Sequence, residues 1–393
     1  LNSVRSSKAA ARRWRIRYRW AALLAGVLVL AAGPGWARER PVPPPCSGSA
    51  LRVDGDFEQA GFAACTVTDS GTAVLTIAPE TRPINPSPWY AARLTQAQMQ
   101  ARRIELDYRH GRHRYAPWLS VNGGPWQRLT AEPLDDGRRA AIALPPFAGT
   151  ALLAAQPIKP LAEVRAQWAA WAAVGQVVLM AEAASRDGRV VPLYRHGPAG
   201  AARLHIFAAR QHPPETTGAA AFDAFAQALL AARPADRCPG HAFLFAPILN
   251  PDGIVRGHWR TTAGRIDLNR DWGAHREPES SGIAAVLTAA GAKAAFVSVL
   301  DFHSTHRDVL YSPGAAGPAA AGFAQAAARH GLVREPTRSV DAATLKSWGE
   351  TRLGAAAFTV EFADSHSPDS AAAIGAALAG DFLTHLACPA AGE

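Results

Sequence analysis

"AARQHPPETTG", residues 208–218, leaves an apolar run (Leu204 to Ala209) and then sets a histidine and a glutamate three residues apart around two prolines. A proline biases the residue before it away from helix, so His212 and Pro213 stand outside one. The stretch reads as a strand end, a tight turn, and a helix beginning near Thr216 or Thr217. His212 and Glu215 then project from one turn at a sheet edge, a geometry that suits a metal ion. Alone the pair is weak evidence: the chain has 13 histidines, and a plain polar turn accounts for it too.

Outward from this turn, apolar runs alternate with Ala-rich amphipathic segments. The runs "QVVLMAE" (176–182), "RLHIFAA" (203–209), "AFLFAPIL" (242–249), "AAFVSVLDF" (294–302), "DVLYS" (308–312) and "AAAFTVEFA" (355–363) read as strands. Helical spacing marks 162–174, 217–233, 278–291, 316–331 and 370–386. The alternation predicts an α/β region with a mixed central sheet flanked by helices. Upstream, "TAVLTIAP" (72–79), "RRIELDYRH" (102–110) and "PWLSVNGG" (117–124) are short strands between turn signals, with a hairpin turn at Asn122-Gly123. They predict a small all-β sandwich ahead of the α/β region. Residues 91–101 fit a strand with a polar loop or a short helix equally.

The N-terminus distorts the totals. Seven basic residues precede "AALLAGVLVLAA" (21–32) and "GPGWA" (33–37), the pattern of a secretory signal peptide with cleavage near Ala37. The apolar run is short for a membrane span, although an uncleaved anchor is the other reading. The expected organisation is a signal peptide (1–37), a Pro-rich linker (38–48), a β-sandwich (49–155) and a catalytic region (156–388). The expected location is periplasmic or extracellular, with no membrane contact after cleavage. Residues 1–37 hold seven of the net +9 charges, leaving about +2. The high pI thus belongs to the export signal and gives no case for nucleic-acid binding. Four cysteines in an exported chain permit the pairs Cys46–Cys65 and Cys238–Cys388.

Polar residues follow four of the strands directly. They are His212 and Glu215; Asn250-Pro251-Asp252-Gly253; Asp301, His303 and His306; and Glu361. Between the second and third lies "GHWRTTAGRIDLNRDW" (257–272), with Arg260, Asp267, Asn269 and Arg270. Polar residues at the carboxyl ends of strands form the site in such sheets. Two imidazoles and a carboxylate leave an open position on zinc, and zinc brings the pKa of its bound water to about 7. A carboxylate that is not a ligand then moves the proton. A fixed cation meets the oxyanion, and an Asn-Arg pair grips a terminal carboxylate.

These blocks resemble the M14 zinc carboxypeptidase family, most closely its cytosolic-carboxypeptidase-type branch. "HPPE", "NPDG", "GHWRTTAGRIDLNRDW", "DFHST" and "FTVEF" match its motifs in order, and "NPSPWYAARL" (85–94) resembles its preceding sandwich. The resemblance implies one Zn²⁺ held by His212, Glu215 and His303, with Glu361 as general base for attack of zinc-bound water. It further implies Arg260 on the scissile carbonyl, Asn269 and Arg270 on the terminal carboxylate of a peptide substrate, and Asp267 on the free N–H of His212. Each block also has a plain reading: "DLNR" as a capped helix start, Asp301 with His306 as a surface ion pair.

The chain departs from the family in one respect. No tyrosine follows Tyr311, so the substrate-binding loop tyrosine found in many carboxypeptidases has no counterpart. "TLKSWGE" (344–350) falls where the family builds its side-chain pocket. Lys346 there would favour an acidic C-terminal residue, or else point into solvent. Rival functions are a zinc deacylase of N-acyl amino acids, which shares His-x-x-Glu and "DLNR", a cell-wall amidase or peptidase on peptide stems, and a catalytically dead binding module. Oligomeric state is not legible in the sequence.

Overall fold

The computed structural model describes residues 42–48, 50–313, 318–337 and 343–386. The expected signal peptide and Cys388 lie outside them. Two sheets organise the chain. The first holds β1 (Cys46–Ser47), β2 (Arg52–Asp54), β3 (Ala64–Val67), β4 (Ala73–Ile77), β5 (Ala91–Tyr108), β6 (Trp118–Val121), β7 (Gln127–Arg128), β8 (Glu132–Leu134) and β9 (Arg139–Ala154). The second holds β10 (Val178–Ala184), β11 (Val190–His196), β12 (Arg203–Ala209), β13 (His241–Ala246), β14 (Phe296–Thr305), β15 (Val309–Pro313), β16 (Val333–Thr337) and β17 (Ala356–Ala363). Helices α1 (Leu161–Ala173), α2 (Thr216–Ala231), α3 (Pro234–Arg237), α4 (Pro251–Arg256), α5 (Pro278–Gly291), α6 (Pro318–Ala328), α7 (Leu345–Leu353) and α8 (Pro368–His385) accompany the second sheet.

The first sheet folds over on itself. β5 and β9 are long antiparallel partners whose register shifts between Gln96 and Arg102, and such bulges bend strands. One half of β5 pairs with β2 and the other with β4. Side chains from both halves, such as Leu94 and Leu153 against Leu75 and Ile104, share one core. The region 91–101 is therefore strand, not helix. Asn122 and Gly123 both take positive φ (50° and 72°) at the expected turn, a conformation that favours Gly, Asn and Asp. Cys46 and Cys65 are disulfide-bonded, as expected.

The second sheet runs β10-β11-β13-β12-β14-β17-β15-β16. β13, β12, β14 and β17 are mutually parallel, while β11 and β15 run antiparallel to their inner neighbours. Side-chain alternation sorts its two faces. Phe207, Phe245, Phe302, Phe358 and Phe362 pack under α1, α2, α6 and α8. Ile206, Leu244, Val299 and Ala357 pack under α5 and α7. Burial of one such Phe is worth roughly 1.5–3 kcal/mol. From β12 the chain steps to β13 on one side, then crosses back to β14 on the other. The carboxyl end of β12 is thus a topological switch point, where open α/β sheets place their crevice.

Candidate metal centre

β12 ends at Ala209 and the chain turns through Arg210, held in the left-handed region (φ 59°). The buried Arg210 guanidinium donates to Pro213 O (3.1 Å). Asn250 braces the turn: its Nδ2 donates to Gln211 O (3.0 Å), while its Oδ1 accepts from Gly253 N–H (2.9 Å). The Asn-Pro-Asp-Gly block is thus the N-cap and first turn of α4, used to hold the His212 turn. A Cβ on Gly253 would stand 2.5 Å from Thr261 O, so this approach requires glycine. Asp252 accepts from Ser185 Oγ (2.7 Å) and Arg189 (2.8 Å), tying α4 to the β10–β11 turn.

Glu215 is the N-cap residue of α2, which starts at Thr216 as expected. This helix meets β14 closely. Ser304 Oγ accepts from Gly218 N–H (2.7 Å) and Thr217 Oγ1 (2.6 Å). A Cβ on Gly218 would lie 2.3 Å from His303 O. On β14, Asp301 and His303 continue the odd-numbered face of Val297 and Val299, and His303 stands in register with Glu361 of β17. Strand alternation therefore delivers both side chains to the same face.

The structure brings the three expected ligands together. Glu215 Oε1 is 2.7 Å from His212 Nδ1, and Oε2 is 2.7 Å from His303 Nδ1. All three residues are buried, and one ligand atom from each lies within 4.8 Å of the others. Among the described residues no other His/Cys/Asp/Glu trio is so placed. The opposite ring nitrogens point at carboxylates: His212 Nε2 donates to Asp267 Oδ1 (3.1 Å) and His303 Nε2 to Asp301 Oδ2 (2.8 Å). Such partners fix the tautomer that presents Nδ1 as ligand. The Nδ1 atoms of both rings and the two Glu215 oxygens face one shared point, so the donor set fits a metal ion.

The electrostatics agree with that reading. Burial alone would raise the Glu215 carboxyl, but His212 and His303 outweigh it and hold it well below the carboxylate range. Burial opposes a charge on His303, yet Asp301 and Glu215 pull its pKa well above the usual value. Burial pushes Glu361 up to about 7, against the opposing pull of His303, and its Oε2 has no partner among the described residues.

The remaining expected residues are placed as follows. Arg260 is buried and its Nε donates to Asp267 Oδ2 (2.6 Å). Asp267 also caps the 3₁₀ turn Leu268–Arg270 by accepting Asn269 N–H (3.0 Å), so the capping and the histidine-holding readings hold together. Asn269 Oδ1 accepts from Leu345 N–H (3.0 Å), and its Nδ2 lies 3.3 Å from His303 Nε2. Arg270 is exposed, and among the described residues no carboxylate pairs with it. Lys346 on α7 is 4 % exposed and paired with Glu350 (2.7 Å), which overturns the solvent-pointing reading.

Asp301 is a correction too: it is wholly buried and bonded to His303 and Gln211, while His306 is exposed. A surface ion pair between them is excluded. Gln211, which joins Asp301 to Trp272 Nε1, was missed by the sequence reading. Tyr311 on β15 pairs with Thr359, placing it on the face of Glu361. Residues 338–342, where a loop tyrosine would be sought, lie outside the described residues.

No family model matches the chain. Among curated proteins, a segment of 109 residues is 36 % identical to cytosolic carboxypeptidase-like protein 5 of Ailuropoda melanoleuca, covering 26 % of this chain and 11 % of that protein. A segment of 107 residues is 30 % identical to human cytosolic carboxypeptidase 4, covering 26 % of this chain and 9 % of that protein. The chain thus spans about a tenth of the length of these relatives. Among solved structures, a metallo-carboxypeptidase from Burkholderia cenocepacia superposes with a TM-score of 0.72 at 20 % identity, covering 86 % of this chain and 99 % of that one. A metallo-carboxypeptidase from Pseudomonas aeruginosa, solved with (2-guanidinoethylmercapto)succinic acid, gives a TM-score of 0.69 at 18 % identity, over 85 % and 99 %. The chain has the fold of these metallo-carboxypeptidases, and about a quarter of it is similar in sequence to segments of the cytosolic carboxypeptidases.

Proposed function

We propose that the chain is a zinc-dependent metallocarboxypeptidase that cleaves the C-terminal peptide bond of a substrate bearing a free terminal carboxylate. The observation that carries this is the convergence of His212, Glu215 and His303 to within 4.8 Å beside an in-register Glu361. One zinc ion held by these three side chains supplies the charge that acidifies water and polarises a carbonyl. Glu361 takes the proton of the attacking water and returns it to the leaving amine. A carboxyl pushed up to about 7 by burial is poised for both tasks near neutral pH. Arg260 meets the negative charge that grows on the carbonyl oxygen. Arg270, exposed and without a carboxylate among the described residues, grips the terminal carboxylate as a fork, joined by Asn269 Nδ2.

Lys346 is the residue we assign to side-chain choice, favouring an acidic C-terminal residue. Its ammonium is already held by Glu350, so an incoming carboxylate competes with that pair. Export is proposed on the basic head and apolar core of residues 1–37, and the Cys46–Cys65 disulfide supports it, since such bonds persist in oxidising compartments. No helix of the described residues is long and apolar enough to cross a membrane.

The test is metal analysis of the purified protein together with a substrate panel. The panel holds peptides ending in Glu, Lys or Phe, their C-terminal amides, N-acyl amino acids and muropeptides. Turnover of free-carboxylate peptides and not of their amides is expected, with Glu preferred. Turnover of N-acyl amino acids alone would make the protein a deacylase. Turnover of muropeptides alone would make it a cell-wall enzyme.

A further inference from the structure

We infer that Glu80, in the β-rich region, is a positioning residue for Arg260. The inference rests on the carboxypeptidase reading above, in which Arg260 meets the carbonyl oxygen. The Glu80 carboxylate receives four hydrogen bonds from one short segment of the α/β region. Oε2 accepts from Trp259 N–H (2.9 Å), and Oε1 accepts from Arg260 N–H (3.0 Å), Thr261 N–H (2.7 Å) and Thr261 Oγ1 (2.8 Å). Consecutive backbone amides that converge in this way form an anion-binding nest, and here the anion is a side chain from 180 residues earlier. Charge-assisted bonds of this kind are about twice as strong as neutral ones.

A second contact holds the same segment. Trp259 is 1 % exposed and belongs to the core of the first sheet, not the second. Its ring comes so close to Gly111 that a Cβ there would stand 2.8 Å away. The backbone of 259–261 is therefore anchored by an indole and capped by a carboxylate. Both fixings belong to the β-rich region.

From this fixed backbone the Arg260 side chain reaches Asp267 (2.6 Å), which holds His212 (3.1 Å). A guanidinium that stabilises developing charge must be in place before the reaction begins, and a misplacement of about 1 Å costs on the order of 100-fold in rate. The β-rich region thus sets the reach of Arg260 through the backbone of 259–261. Glu80 acts through the backbone, and its removal frees the guanidinium to drift.

The experiment compares Glu80→Ala and Glu80→Gln with wild type in the full-length, zinc-loaded protein, with Asp136→Asn at an exposed ion pair as control. Expected for Glu80→Ala is a fall in kcat of about 10-fold or more with KM within about twofold, and a smaller fall for Glu80→Gln. In an Arg260→Ala background, Glu80→Ala should cost nothing further. Independently of turnover, the Arg260 Nε–H signal, identified by its loss in Arg260→Lys, should lose exchange protection in both Glu80 variants. If Glu80→Ala does not fold, Glu80→Gln carries the same comparisons. Unchanged kcat in a folded variant overturns the inference. So does an equal loss in the Arg260→Ala background. If the wild type cleaves no C-terminal peptide, the carboxypeptidase reading fails, and the Arg260 Nε–H signal alone decides whether Glu80 positions that side chain.

Discussion

Asp267 divides one carboxylate between two side chains: Oδ1 accepts from His212 Nε2 at 3.1 Å and Oδ2 from Arg260 Nε at 2.6 Å. Burial would raise its pKa, but His212 and Arg260 outweigh this and keep it ionised. A proposed metal ligand and the proposed carbonyl-binding arginine are therefore oriented by the same group. Asp301, by contrast, serves His303 and Gln211 and makes no bond to Arg260.

This difference is measurable. Asp301→Asn should weaken zinc binding by about 10–100-fold, the usual range for partners of ligating histidines, and leave kcat at saturating zinc within a few-fold. Asp267→Asn should weaken zinc binding by a similar factor and lower kcat as well. Chelator competition and steady-state kinetics on the same samples check both. Equal kcat losses in the two variants would contradict the division of roles.

Glu361→Gln should keep zinc and lose about 10²–10⁴ of turnover, the range for a general base. The variant is nearly isosteric and Glu361 is no ligand, so metal content by elemental analysis should match wild type. The ascending limb of kcat/KM reports the same group. Burial sets its carboxyl at about 7, and a nearby bound cation favours the charged form. The limb should thus fall below pH 7, with rate rising as pH rises through it. A limb above pH 7 would point to another base.

Far from this centre, His205 lies wholly buried between Ser298 Oγ (2.8 Å) and His241 (3.0 Å). Burial first, then the nearby His241 and Arg203, depress its pKa to about 3. The unfolded chain binds this proton near pH 6.5, so between about pH 6.5 and 3 the unfolded state holds more protons than the folded one. Stability is then full above pH 6.5 and declines as pH falls through that window. His205→Gln should flatten the acid side of a melting-temperature profile. An unchanged slope would assign the decline to other groups.

Gly218→Ala should destabilise the protein by about 1–3 kcal/mol, the typical cost of forcing a methyl into a packed contact. The new Cβ would meet His303 O at 2.3 Å, so α2 must move off β14 and carry Glu215 with it. Weaker zinc binding should accompany the loss of stability. Calorimetry with and without a chelator separates the two effects. A stable variant with intact zinc affinity would show that α2 shifts freely.

Most of the site was legible because its residues end apolar runs. His212, Glu215, His303 and Glu361 each follow or close a strand, where position along the chain predicts position in the fold. Asp301 was misjudged although its signal was present: two residues before His303 on a strand, it had to share that face. β11 was missed because Pro192 interrupts its run. The structure tolerates that proline because β13 pairs with β11 only at Tyr194–His196. Glu80 follows no local periodicity, since it depends on contact between distant segments, and the i,i+4 pair Lys346–Glu350 becomes readable only once α7 is placed. The same distance explains why 91–101 stayed open: its partner, β9, begins at Arg139.

β14 and β17 bear phenylalanines on one side and their reactive groups on the other. Shifting either strand by a single position would thrust Glu361 or His303 into the aromatic layer beneath α2 and bring a benzene ring to the ligand cluster. An insertion or deletion of one residue inside either segment is therefore more damaging than any point change there, because it inverts the whole pattern at once.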